Sequence, residues 1–281
     1  MEIILNANSI SFDGNILYFK RIVDQKNGFY KVQRNDNNWN FINQSGKLFS
    51  NEWFYDIFDF ANGFAAVKRK DNTWNFINEN GKLISDEWFY DIGDFANGFA
   101  TVQKHDYTWN FINEDGKIIS DKWFYGIQEF RDHFGGVKRE DGKWNFINEN
   151  GKIISKKWFY NINVFVNHFA TVQRNDKAWN WIDEKGKIFS DKWFYYVSDF
   201  ENDFAIIKNS VNMFNFINKN GNIISDIWFD DAYDFKNGFA PVKLNDNKWH
   251  LLNQHGNIIE GVYFDNFSIM GMDDEYIFKI L

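Results

Sequence analysis

The chain has 281 residues, 44% of them hydrophobic and 25% charged, with a formal net charge of −8. Such a composition excludes a disordered chain, and the negative balance argues against a general polyanion binder. Cysteine is absent, which removes disulfides, Cys-ligated zinc, iron–sulfur clusters and thiol catalysis together.

In chain order, the N-terminus "MEIILNANSISFDGN" has no basic region, long apolar core or small-residue cleavage site, so it does not read as a signal peptide. No apolar run approaches the roughly 18 residues of a membrane helix. The expectation is a soluble, cytoplasmic protein. Phe, Trp and Tyr make up 21% of the chain and favour β structure, because aromatic side chains suit a pleated, half-buried surface.

From Trp39 onward the chain repeats. Trp39, Trp74, Trp109, Trp144, Trp179, Phe214 and Trp249 are 35 residues apart each time. Fourteen residues later a second column runs through Trp53, Trp88, Trp123, Trp158, Trp193, Trp228 and Tyr263. A fixed period of this length signals a stacked repeat array. No linker interrupts it, so residues 1–281 read as a single repeat domain. Its repeats start near residues 4, 39, 74, 109, 144, 179, 214 and 249, with the first and last divergent.

Within one period, "WFYDIGDF" (88–95) is an aromatic strand run with rings on both faces. Tyr55, Tyr90, Tyr125 and Tyr160 are the rings expected at the surface. "ANGF" (96–99) places Asn97-Gly98 between two strands, a type I′ hairpin signal. His133, His168 and Asp203 take the Gly98 position in later repeats; they are residue types that tolerate positive φ, so those histidines read as turn residues. "FATVQ" (99–103) and "WNFIN" (109–113) alternate as half-buried strands, with the turn "KHDYT" (104–108) between them. "NEDGK" (113–117) turns the chain into the short β-branched "KIIS" (117–120), and "SDKW" (120–123) leads to the next repeat. Each repeat is therefore a four-stranded antiparallel meander.

The ends match each other in register. "YFKRI" (18–22) corresponds to "WFYDI", and "EYIFKI" (275–280) to "GFATVQ", so the chain starts on the strand following the one on which it stops. Pairing of the last strand with the first would remove two exposed edges. An all-β fold of about eight 35-residue meanders, closed into a β-propeller-like toroid, is the favoured expectation. An open β-solenoid is the alternative.

"WNFINENGK" (74–82) and "FANGFATV" (95–102) resemble the WG repeat, also called KWG, whose pattern is "W-G-x-I-[DN]-x-x-G-K" followed by "F-x-[ED/N]-G-[LF]-A-x-V". The resemblance covers nearly the whole chain and implies a repeat architecture and binding, with no reaction. One position departs from it: Asn40, Asn75, Asn110, Asn145, Asn180 and Asn215 stand where the family has Gly.

Most rings read as core, since a lone 35-residue β unit buries too little apolar surface to stand by itself. A basic column, Arg34, Arg69, Lys104, Arg139 and Arg174, continues as Asn209 and Leu244. It reads either as a phosphate-binding stripe or as pairing with nearby carboxylates. Departures from the columns at Tyr107, Arg131, Trp181 and Tyr196 mark a contact surface, which completes the set of candidate binding residues. The acidic positions do not form a calcium loop, and no nucleophile, base, metal or cofactor site is nominated. The function this supports is a non-enzymatic binding scaffold for a macromolecule, most directly a protein, including an inhibitor of a basic, nucleic-acid-handling partner. Its alternatives are a carbohydrate or cell-envelope module using exposed aromatics, and an anion or nucleotide binder on the Arg/Lys stripe.

Overall fold

A computed structural model describes residues 3–6, 9–12, 15–24, 29–43, 45–265, 267–270 and 275–278. The chain divides into two compact units. One is Met1–Phe130 with Val137–Glu140 and Glu149–Lys152; the other is Arg131–Gly136, Asp141–Asn148 and Ile153–Leu281.

In the first unit the sheet Asp91–Ile92, Phe99–Gln103, Trp109–Asn113 is typical, with Val102 opposite Asn110 and Gln103 opposite Trp109. The two-residue alternation of "FATVQ" and "WNFIN" places Val102 and Ile112 in the core. A fourth segment lies beside Trp109–Asn113 and touches it in two places, at Ile118 opposite Ile112 and Phe124 opposite Trp109. The expected meander is present, its last strand broken by a loop. One residue further on, the chain changes sheets: Phe124 pairs backward with Trp109, whereas the Tyr125 N–H donates to the Lys138 carbonyl of the following repeat at 2.9 Å. The second unit repeats this switch at Phe194 and Tyr195, whose N–H bonds go to Trp179 and Lys208.

The turns follow their sequence signals. Asn97 and Gly98 have φ of 52° and 83°, and His133, His168 and Asp203 all lie near 70°. Gly28, in the same column, lies outside the described residues.

Each core is assembled from two consecutive repeats. In the first unit Phe76, Phe89, Phe95, Val102 and Ile112 pack with Trp123. In the second, Trp181, Phe194, Phe200, Ile207 and Ile217 pack with Trp228. Phe99 stacks on Phe130 at 4.1 Å and Phe204 lies 4.2 Å from Phe235, each pair joining neighbouring repeats. A fully buried ring of this size contributes roughly 1.5–3 kcal/mol, so the rings act as cement between repeats.

Two further devices hold neighbours together. The positive-φ hairpin Asn reaches the next repeat: Asn62 donates to the Phe95 carbonyl at 2.6 Å, Asn97 to Phe130 at 2.7 Å and Asn202 to Phe235 at 2.7 Å. The second-hairpin Gly brings backbone against backbone. A Cβ on Gly116 would stand 1.5 Å from the Ile84 carbonyl oxygen, and one on Gly186 would stand 1.9 Å from that of Ile154.

Among the described residues the expected pairing of the last strand with the first is not formed. Glu275–Phe278 pairs with Phe267–Met270, and Ile3–Asn6 pairs with Ser9–Phe12, so each end satisfies its backbone in a local hairpin. Every sheet is built from strands consecutive in the chain.

Candidate functional site

The Asn column that departs from the WG pattern shapes the edge of six repeats, from Asn40 to Asn215. Asn110 is buried beside the broken fourth strand. Its Nδ2 donates to the carbonyls of Ser120 at 2.8 Å and Lys122 at 3.0 Å, while its Oδ1 accepts the Phe111 N–H at 2.8 Å. Asn40, Asn75, Asn145, Asn180 and Asn215 make the same three contacts. The amide takes the place of strand pairing and holds the Ser-x-Lys loop out at a set position. Where His250 replaces it, the fourth segment runs as a continuous strand, Ile258–Phe264, with Tyr263 opposite His250.

This loop delivers the second Trp column to the surface of the preceding core, where the basic column meets it. The guanidinium of Arg34 lies 4.3 Å from the Trp53 ring centre and that of Arg69 lies 3.8 Å from Trp88. Lys104 is 4.0 Å from Trp123 and Arg174 is 4.5 Å from Trp193. Arg34 and Arg174 also pair with Asp36 and Asp176, and Arg69 pairs with Glu52. Arg174 and the Ala178 N–H hold the Asp176 carboxyl below the usual carboxylate range, and the Thr108 hydroxyl and N–H do the same to Asp106. The basic column thus spends its charge on rings and carboxylates of its own chain. Arg139, in the same column, is engaged as well.

The other candidate residues separate. Trp181 is fully buried, with Nε1 donating to the Ser198 carbonyl at 2.9 Å, so it is a core residue and not part of a contact surface. It occupies a column of core Phe residues, and the larger ring fits because the indole N–H finds a partner. Arg131 is exposed on its strand. Tyr107 is exposed with φ of 64°, packed edge-on against Tyr90 at 5.3 Å; its hydroxyl raises the Tyr90 phenol above its ordinary value. Tyr196 is half-exposed; burial, then Asp234 and Asp199, push its phenol up. Tyr107 and Tyr196 stand in separate compact units.

The expected tyrosines are at the surface. Tyr55, Tyr90 and Tyr125 are 54%, 41% and 53% exposed in the first unit, and Tyr160 is 53% exposed in the second, where Tyr195, not singled out from the sequence, is 65% exposed. Each follows the residue at which the chain switches sheets, so its side chain points away from the core that takes the preceding Phe.

One repeat breaks the pattern of covered rings. Asn209 stands in the basic column ahead of Trp228, and its Oδ1 accepts the N–H groups of Val211 and Met213. No cation rests on Trp228 among the described residues. Even the final repeat, with Leu244 in the column, covers Tyr263 with Lys248 at 4.0 Å. Gly221 marks the same place: a Cβ there meets nothing within 4 Å, in contrast to Gly186 and Gly256 on either side. A cleft of about 680 Å³ opens between Lys187–Lys192 and Asn220–Trp228. Trp228 also lines a second one of about 530 Å³ with Trp193, Tyr195, Asn209 and Ser210. The basic column shows the loss of charge at Asn209, but read as a phosphate-binding stripe or as carboxylate pairing it does not point to the Trp228 ring left without a cation.

A family described as WG containing repeat matches residues 39–74, 76–109, 179–210 and 216–249. The chain belongs to the WG-repeat family. No curated protein matches this WG-repeat chain. Among solved structures it is similar to the computationally designed Ika8 protein, at 11% identity over 87% of this chain and 86% of that one, TM-score 0.34. BamB from Moraxella catarrhalis matches at 11% identity over 96% and 88%, TM-score 0.31. The WD40 β-propeller domain of Doa1 matches at 14% identity over 75% and 86%, TM-score 0.28. Scores of this size do not equate the folds. Among the described residues no group of three His, Asp or Glu side chains is arranged to hold a metal ion, and no helix is long and apolar enough to cross a membrane.

Proposed function

We propose that this WG-repeat chain is a non-catalytic cytoplasmic scaffold, residues 1–281 acting together, that docks a macromolecular partner through exposed aromatic rings. The observation that carries the reading is one exposed tyrosine in each of three successive repeats of the first unit, at Tyr55, Tyr90 and Tyr125. Tyrosine contributes large contact area at little conformational cost and is enriched among residues that dominate protein interfaces. A protein is therefore the partner proposed for the row, and the net charge of −8 favours one with a basic face. Recovery of a stoichiometric protein partner on immobilised chain, lost in a Tyr55→Ala/Tyr90→Ala/Tyr125→Ala variant of unchanged melting temperature, is the expected result. Equal recovery by that variant removes the row from the interface.

The second reading is carbohydrate binding, favoured by the half-buried Trp228 ring, which lines two clefts and carries no cation among the described residues. The third, an anion stripe, has less support, because Arg34, Arg69, Lys104 and Arg174 already lie on indole rings. Salt-sensitive retention of an oligonucleotide would restore it.

A further inference from the structure

The ring column provides an internal control. Trp53, Trp88, Trp123, Trp193 and Tyr263 each carry an Arg or Lys of the chain itself on the ring, in the position a ligand would otherwise take. Trp228 packs on the core formed by Trp181, Phe194 and Ile217 and lines both clefts with no cation on it. Two further changes coincide there. The turn Asn209–Met213 has exchanged the Arg-x-Asp of its neighbour, Arg174–Asp176, for Asn209 and Val211, so the carboxylate is lost with the guanidinium. Gly221 stands clear of the backbone that its counterparts touch.

The lining indicates the ligand. In the larger cleft Lys187 and Lys192 are matched by Asp191 and Asp226. In the smaller, the lining holds one group of each sign, Lys192 and Asp176. With equal numbers of each sign there is no excess field to draw an anion or a cation. Hydrogen-bonding side chains remain: Asn222, the Nδ2 of Asn209, and the Ser225 hydroxyl, whose oxygen accepts the Ile227 N–H. An uncovered indole beside neutral and balanced polar groups suits a ligand with one flat C–H face and a rim of hydroxyls.

We propose that the Trp228 cleft binds a neutral sugar, with one pyranose ring stacked on the indole where the other repeats place their own cation. This rests on the carbohydrate reading and is independent of what the tyrosine row docks.

The test uses the full chain on an array of neutral hexose and N-acetylhexosamine oligosaccharides, followed by calorimetry in low and high salt. The informative variant is Asn209→Arg with Val211→Asp, which rebuilds the neighbouring Arg-x-Asp turn and covers the ring from within. The wild type is expected to bind a neutral glycan with no salt dependence. The double variant should keep its melting temperature and lose affinity roughly tenfold or more, the scale of one aromatic stacking contact. Trp228→Ala should lose binding as well, judged on protein shown to be folded. Three outcomes overturn the proposal: no neutral glycan bound by the wild type; binding unchanged in both variants; or retention of an oligoarginine peptide in place of glycans. Glycan binding that persists in both variants leaves the carbohydrate reading standing and removes only this site.

Discussion

The side-chain amide of Asn145 donates to the carbonyl of Ser155 at 2.8 Å, and both groups are sealed from solvent. The same amide serves Lys157 and the Phe146 N–H, so three backbone groups depend on a single side chain. Removing it leaves them unpaired, and each buried orphan costs about 1–3 kcal/mol. Asn145→Ala is expected to destabilise by at least about 3 kcal/mol on that scale in denaturant melts. Asn145→Gly, the residue typical of the family, should do no better, since no donor replaces the amide.

The Gly column separates two costs. Gly116→Ala drives a Cβ to 1.5 Å from the Ile84 oxygen and also strains a backbone at φ of 80°. Gly221→Ala meets open space and carries only the left-handed penalty of about 1–2 kcal/mol. Parallel thermal melts should show a much larger loss for Gly116→Ala. Equal losses would contradict the opening beside Trp228.

Asp132 occupies a hairpin position from which Asn62, Asn97 and Asn202 reach the next repeat. A carboxylate has no hydrogen to donate to the Phe165 carbonyl. Asp132→Asn is expected to stabilise the protein by about 0.5–1.5 kcal/mol, the net worth of one hydrogen bond.

Tyr107 holds φ of 64° where the next repeat has Gly142 at 79°. A bulky residue is strained there. Tyr107→Gly should raise the melting temperature, and a simultaneous loss of partner binding would assign that strain to recognition.

Burial, reinforced by Glu201 and partly offset by Lys236, raises the Asp234 carboxyl above its usual range. A raised carboxyl favours the protonated folded state, so this group costs stability at neutral pH. The cost fades as pH falls through the raised folded value towards the unfolded one near about 4. Asp234→Asn is therefore expected to raise the melting temperature at pH 7 and to lose that advantage in acid. An advantage that grows in acid would reverse the sign.

Much of this architecture is legible without coordinates. The two Trp columns, the Asn-Gly hairpins with their His and Asp replacements, and the exposed tyrosines follow from periodicity and turn chemistry, which are local properties. The clamp at Asn145 was visible only as an exception to the WG pattern, because its partners lie ten and twelve residues away across a loop.

By itself, then, the sequence determined the repeat length, the β-meander and the use of rings between repeats, since these depend on neighbours along the chain. Only the tertiary structure decided that the ends pair locally, that Trp181 is enclosed, and that Trp228 lacks the cation its counterparts carry. Those outcomes depend on which groups meet in space: a column of identical letters has the same chemistry at every step until packing leaves one of its rings uncovered.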